Sequence, residues 1–191
     1  MSKYHDDSTR ASHAVPAELS QTAYSRFKNE LGFFKRMLSS VSLPVSLLAE
    51  HMQFGDSRAA VVVQAKTDVF VAAYSDELDG VAMLKFPEWV KERYPVKRGT
   101  RLLTVNTYFW LSEGVAEDLT PGPGFLKQYG NFFPVIAEFV VDNLEVIEAR
   151  KRQIDKSEWK RTAELATQYI KNRRGVFRNG SPFYSAKSAK G

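Results

Sequence analysis

The fold is decided by three short apolar runs: AAVVV at residues 59–63, VFVAAY at 69–74 and VAMLKF at 81–86. Polar turn sequences separate them, KTD at 66–68 and SDELDG at 75–80. Short runs rich in Val and aromatic residues, with turn residues between them, are typical of strands joined by hairpins. The first two runs are almost continuously apolar, so we predict that they lie centrally in a sheet covered on both faces.

A fourth strand is predicted over residues 101–111, where alternate side chains form two faces. One face carries Leu103, Val105, Thr107, Phe109 and Leu111, and the other carries Leu102, Thr104, Asn106, Tyr108 and Trp110. Before this strand, Pro87 begins a short helix. The predicted sheet therefore has about four strands and spans residues 58–111.

Amphipathic helices are predicted on both sides of this sheet. Before it, apolar residues recur at helical spacing over residues 16–40, and a shorter helix begins at Pro44. After it, one helix is predicted from Pro134 through residue 148 and another from residue 155 or 157 to residue 174. Residues 135–141 also fit strand alternation, but the helical pattern accounts for more residues and is preferred.

The predicted fold class is α+β, a mostly antiparallel sheet of about four strands packed by N-terminal and C-terminal amphipathic helices. The length of 191 residues favours a single domain. We expect a disordered N-terminal tail at residues 1–15, one α+β domain at 16–174 and a basic C-terminal tail at 175–191.

Several function classes are disfavoured by composition. The chain has no Cys, which excludes disulfides and thiolate chemistry. No apolar run is long enough for a membrane span, and the polar N-terminus argues against a secretory signal. The three His residues lack metal-site spacing, and no nucleophile or phosphate-loop motif is present. We therefore expect a cytoplasmic protein without a cofactor, and we favour a non-enzymatic function.

Positive charge is concentrated near the C-terminus. Residues 150–191 hold 12 Lys and Arg residues and 3 acidic ones. The candidate binding residues are Arg150, Lys151, Arg152, Lys160, Arg161, Arg173, Arg174 and Arg178. Basic side chains near Phe177, Phe183 and Tyr184 suit phosphates and nucleic-acid bases. The alternative is internal pairing, in which Lys160, Arg161 and Lys171 meet acidic residues of the preceding helix, Glu138, Asp142, Glu145 and Glu148.

The irregular stretch at residues 112–131 is the candidate loop site. Its length favours a function, and Glu117, Asp118, Phe125 and Tyr129 supply charge and contact surface. It also contains PGPG at 121–124, so the alternative interpretation is a structural corner between the sheet and the next helix.

Three functions remain open on this sequence. The first is a non-enzymatic protein-interaction module, such as an adaptor, an inhibitor or an immunity-type protein, with a protein partner. The second is a nucleic-acid-binding accessory protein that uses the basic C-terminal segment. The third is an enzyme whose site lies under the 112–131 loop near Tyr108 and Asn106. The oligomeric state stays open.

Overall fold

The computed structural model describes residues 13–30, 45–173 and 175–182. Its helices are α1 (Gln21–Glu30), α2 (Val45–Phe54), α3 (Trp89–Arg93), α4 (Leu144–Gln153) and α5 (Lys156–Asn172). Its strands are β1 (Asp56–Ala65), β2 (Val69–Ser75), β3 (Gly80–Phe86), β4 (Arg101–Trp110), β5 (Tyr129–Ile136) and β6 (Arg178–Asn179). The chain is α+β, as the sequence predicts. The first predicted helix begins at Gln21 rather than at Pro16, and its residues 31–40 lie outside the described part.

The strands form one sheet in the order β5-β4-β1-β2-β3-β6. Neighbouring strands are antiparallel, except that β3 and β6 run parallel. The strands predicted within residues 58–111 are β1 to β4, and β1 and β2 lie in the middle as expected. The prediction of about four strands was too low, because β5 and β6 extend the sheet to six strands.

Strand β5 replaces the first turns of the helix predicted from Pro134. It pairs with β4 from Tyr129 opposite Trp110 to Ile136 opposite Thr104. Pro134 has no amide N–H to donate, and the edge position of β5 tolerates this loss. The helical prediction was therefore wrong over residues 134–143, since α4 begins only at Leu144. A 3₁₀ turn, Ala137–Phe139, follows the strand.

Helices cover both faces of the central strands. Val69, Val71 and Ala73 of β2 belong to the main apolar core, which includes Phe27 of α1. Ala72 and Tyr74 of the same strand pack instead with Ala166 and Tyr169 of α5. Successive strand residues point to opposite faces, so the near-continuous apolar run of β2 reflects burial on both sides.

The sheet is curled, and its two outer strands approach each other. β2 contacts β5 although β1 and β4 lie between them in the sheet order. Arg178 of β6 donates to the carbonyl oxygen of Phe132 in β5 at 2.6 Å and to Asn131 Oδ1 at 2.8 Å. Residues 178–179, in the segment expected to be a tail, are thus part of the sheet.

No helix in the described ranges combines the length and the apolar composition that crossing a membrane requires.

Candidate functional site

The loop between β4 and β5 is anchored by a buried ion pair. Asp118 is 5% exposed. Its two carboxylate oxygens accept from Arg178 Nε at 2.6 Å and Nη2 at 2.8 Å. This bidentate geometry neutralises both groups and fixes the loop against β6. Asp118 and Arg178, both candidates from the sequence, therefore bind each other.

The other candidate loop residues do not converge on one site. Tyr129 is fully buried, and its ring lies 5.1 Å from that of Tyr108 and 5.0 Å from that of Trp110. Phe125 packs half-buried against the same small apolar cluster. Glu117 is exposed, and its carbonyl oxygen accepts from Arg173 Nη1. These contacts support the interpretation of the loop as a structural corner.

The PGPG sequence at residues 121–124 lies against Asp79 in the turn between β2 and β3. The Asp79 carboxylate accepts from Gly124 N at 3.1 Å, and from Arg161 Nε at 3.0 Å and Nη2 at 2.8 Å. A Cβ on Gly122 would lie 2.3 Å from Asp79 Oδ2, so only glycine fits there. Burial opposes ionisation, but the bonds from Arg161 and Gly124 hold the pKa of Asp79 below its ordinary value.

A groove of about 370 Å³ runs between this loop and α5. Residues 120–123 form one wall, and Val81 contributes from β3. The other wall consists of Arg161, Leu165, Gln168, Tyr169, Asn172 and the C-cap residue Arg173. We call this feature the α5 groove. Its volume lies within the range of ligand-binding sites, and its lining mixes apolar groups with amides and guanidinium groups.

The two arginines of the α5 groove differ in their partners. Arg161 is neutralised by Asp79. Arg173 instead donates to neutral oxygens, with Nε 3.1 Å from Thr120 Oγ1, Nη2 3.1 Å from Leu119 O, and Nη1 bound to Glu117 O. Among the described residues, no carboxylate pairs with Arg173. Its guanidinium is held in place with its positive charge uncompensated.

Tyr169 forms part of the groove floor. It is 6% exposed, and its hydroxyl has no hydrogen-bond partner within the described part of the chain. Burial, assisted by the negative charge of Asp118, raises the pKa of Tyr169 to about 12. The phenol is therefore neutral at physiological pH, and the charged side chains in the described groove lining are those of Arg161 and Arg173.

A second polar feature, the carboxylate cluster, consists of Asp56, Asp76 and Glu158 around Arg58. Arg58 Nε lies 2.6 Å from Asp56 Oδ2, Nη1 lies 3.5 Å from Glu158 Oε2, and Nη2 binds Asp76. The Tyr108 hydroxyl lies 3.4 Å from both Asp56 Oδ2 and Asp76 Oδ1. Within the described ranges, no group of acidic and His side chains is arranged to hold a metal ion.

Asp56 is the most deeply buried acid of the carboxylate cluster. It is 1% exposed, and its Oδ1 has no hydrogen-bond partner among the described residues. Burial raises its pKa to about 7, although the charge of Arg58 opposes the shift. A buried carboxyl group that keeps its proton near neutral pH is found at catalytic sites and also in structural networks.

Several of the remaining basic candidates form internal bonds. Arg150 donates to Ser57 Oγ at 2.8 Å, and Lys151 lies 3.1 Å from Glu138 and 2.6 Å from Glu148. Lys160 is 80% exposed and lies 3.8 Å from Glu164 of its own helix. Arg152 is exposed, and Arg174 lies outside the described residues. The ion pairs thus differ from those expected, since Lys151 rather than Lys160 or Arg161 meets Glu138 and Glu148.

Sequence reasoning missed both the α5 groove and the carboxylate cluster as sites. Gln168 and Asn172 carried no signal, because exposed amides on a helix are ordinary. Asp56 and Arg58 did carry one, since two charged residues come directly before the apolar run at 59–63.

Comparison of the chain with protein-family models, with curated proteins and with solved structures finds no match in any of the three.

Proposed function

We propose that this protein is a non-enzymatic protein-interaction module, of the adaptor, inhibitor or immunity type, that binds an extended segment of its partner in the α5 groove. The observation that supports this proposal is the groove itself, with Arg173 fixed and uncompensated at one end.

The stretch of α5 that lines the groove matches the length of a short extended polypeptide. From Arg161 to Arg173 the helix rises about 18 Å, at about 1.5 Å per residue. An extended segment of about five or six residues covers this distance at about 3.3 Å per residue. Gln168 and Asn172 are exposed along the groove. Their amide groups both donate and accept, as the backbone of an extended segment requires.

Nucleic-acid binding stays an alternative proposal with less support. Single-stranded nucleic acid requires aromatic rings on which bases can stack. Tyr169, the aromatic residue that lines the α5 groove, is buried. Five of the basic candidates bind internal oxygens, namely Arg150, Lys151, Arg161, Arg173 and Arg178.

An enzymatic function is a second alternative, favoured by the approach of Asp56 and Asp76 to one hydroxyl, that of Tyr108. Carboxyl groups in different environments can divide acid and base roles between them. A panel of nitrophenyl esters, glycosides and phosphates tests this alternative. The enzymatic alternative predicts that the wild type turns over at least one of these substrates and that Asp56→Asn abolishes this activity. Equal rates for the wild type and Asp56→Asn, both at the uncatalysed background, contradict it.

Photo-crosslinking tests the interaction proposal. A benzoylphenylalanine placed at Gln168 faces the α5 groove, whereas one placed at Ala163 is exposed on α5 outside it. We expect the Gln168 probe to crosslink one contiguous segment of a partner protein in native lysate, and the Ala163 probe to give no such product. Gln168→Trp, which fills the groove, should compete poorly for that partner. Equal crosslinking from the two positions, or none from Gln168, contradicts the proposal.

A further inference from the structure

We infer that the segment bound in the α5 groove carries a carboxylate that meets Arg173. This inference rests on the proposed function and names the chemistry of the partner: a short acidic stretch, extended along α5, with its acid at the Arg173 end.

The charge of the α5 groove is positive at one end only. At the Arg161 end, Asp79 cancels the guanidinium through two hydrogen bonds. At the other end, Asp118 is cancelled by Arg178, and Tyr169 is neutral. Arg173 thus remains as the uncompensated cation in the described groove lining. Because complementary charges align two binding partners, we expect the acidic group of the bound segment to lie at the Arg173 end of the groove.

Arg173 also retains donors for such a group. A guanidinium has about five N–H donors, and a carboxylate accepts two of them side by side. Thr120, Leu119 and Glu117 accept one bond each, from Nε, Nη2 and Nη1. One N–H on each terminal nitrogen therefore has no acceptor among the described residues. Because the other bonds hold the guanidinium in place, little side-chain entropy is lost on binding.

A carboxylate fits this site better than a phosphoryl group. Phosphorylated segments are typically recognised by clusters of arginine, which match a charge near two. The α5 groove offers one uncompensated guanidinium, since Arg161 is already paired. A single negative charge with two oxygens matches a single guanidinium with two remaining donors.

A displayed library of random heptapeptides, panned on the full chain, tests the inference. We expect enriched sequences that share Asp or Glu at one position. In a synthetic peptide, replacing that acid by its amide should weaken binding about tenfold, as loss of a partly buried ion pair does. Affinity should also fall as NaCl is raised.

Variants of the chain sharpen this test. Gln168→Glu adds a negative charge to the groove without touching the bonds of Arg173, and should weaken the acidic peptide about fivefold or more. Arg173→Gln should do the same. Lys171→Gln removes an exposed cation outside the described groove lining, and should change affinity less than about twofold. Thermal unfolding shows whether Arg173→Gln also disturbs the loop, and Gln168→Glu keeps the test independent of that effect.

The outcomes of these experiments distinguish failure of the inference from failure of the proposed function. If Gln168→Trp abolishes the binding of the enriched peptides but these peptides share no acidic residue, the inference is overturned and the proposed function stands. A phosphoserine peptide that binds more tightly than its Glu counterpart overturns the assignment of a carboxylate. A library with no sequence sensitive to Gln168→Trp, or a groove occupied by an RNA hexamer instead, overturns the proposed function itself.

Discussion

Arg161 and Arg173 line the same groove, yet only Arg161 is paired with a carboxylate, that of Asp79 at 2.8 Å. Arg173 is bound by neutral oxygens of residues 117–120 instead. The difference arises because Asp79 lies in the β2–β3 turn beside the first turns of α5, whereas the 114–128 loop presents its backbone carbonyls to the C-cap. The groove is therefore polarised along its length.

The Asp118–Arg178 pair should be a large contributor to stability. Both side chains are mostly buried, with 6% and 14% exposure. Asp118→Ala leaves Arg178 without its carboxylate and should lower the free energy of unfolding by about 3 kcal/mol. Urea denaturation measures this loss. Lys160→Ala, which breaks an exposed pair, is the control and should cost about 0.5 kcal/mol or less. Equal losses for the two variants are inconsistent with a structural role for the pair.

Asp56 should make the protein less stable as pH rises toward neutrality. Its folded-state pKa, about 7, lies above the ordinary value of 3.8, so the folded state holds a proton that the unfolded state has released. The stabilisation is complete below the ordinary pKa and is lost as pH rises through about 7. Between pH 5 and pH 8 the wild type should lose about 2 kcal/mol more than Asp56→Asn.

Guanidinium denaturation at the two pH values measures that difference. Asp56→Asn keeps a side-chain acceptor for Arg58 but has no ionisable carboxyl, so it is the matched reference. If the wild type and Asp56→Asn show the same pH dependence, Asp56 does not hold a proton in the folded protein.

Gly122 and Gly124 should respond differently to the same substitution. A Cβ on Gly122 meets Asp79 Oδ2 at 2.3 Å and Asp79 O at 2.4 Å, whereas the nearest atom to a Cβ on Gly124 lies at 3.3 Å. Gly122→Ala should therefore cost about 1–3 kcal/mol and displace the groove wall. Gly124→Ala should cost clearly less. Thermal unfolding of both variants checks the order, and a reversed order contradicts the packing of PGPG on Asp79.

The buried hydroxyl of Tyr169 should not stabilise the fold. It has no hydrogen-bond partner among the described residues. Tyr169→Phe should therefore leave the free energy of unfolding unchanged or raise it by up to about 1 kcal/mol. Tyr94→Phe is the contrasting variant, because the Tyr94 hydroxyl donates to Phe139 O at 3.1 Å. It should cost about 1 kcal/mol. A loss on Tyr169→Phe as large as that on Tyr94→Phe indicates a bond that this structure lacks.

The sheet from β1 to β4 could be predicted because its signals are local. Apolar runs alternate with turn residues, and β1, β2 and β3 pair in chain order across short turns. The pairing of β1 with β4 joins strands that are distant in the chain, and the local patterns do not predict it. Strand β5 was mistaken for a helix because residues 135–141 fit both periodicities and Pro134 is a common helix-starting residue. Only the pairing with β4, over a long loop, decides between them. The two residues of β6 are too few to show a period.

The candidate site could be predicted only in part, for a related reason. Charge alone singled out Arg161 and Arg173, and length alone singled out the loop. The two arginines and the loop come together because of the way α5 packs on the curled sheet. No local sequence pattern predicts that packing. The same packing brings Arg178 to Asp118 and Arg161 to Asp79. The two members of each pair are separated by tens of residues in the chain.

The central claim, that the α5 groove is the binding surface, is tested most directly by amide chemical shifts in a titration of the full chain with the most enriched acidic heptapeptide. Binding in the groove predicts shift changes concentrated at Thr120 and Gly122 of one wall and at Gln168, Asn172 and Arg173 of the other, with small changes at Ala163 on the exposed side of α5. Changes centred on Ala163, or spread over the sheet without Thr120 and Gly122, contradict the claim.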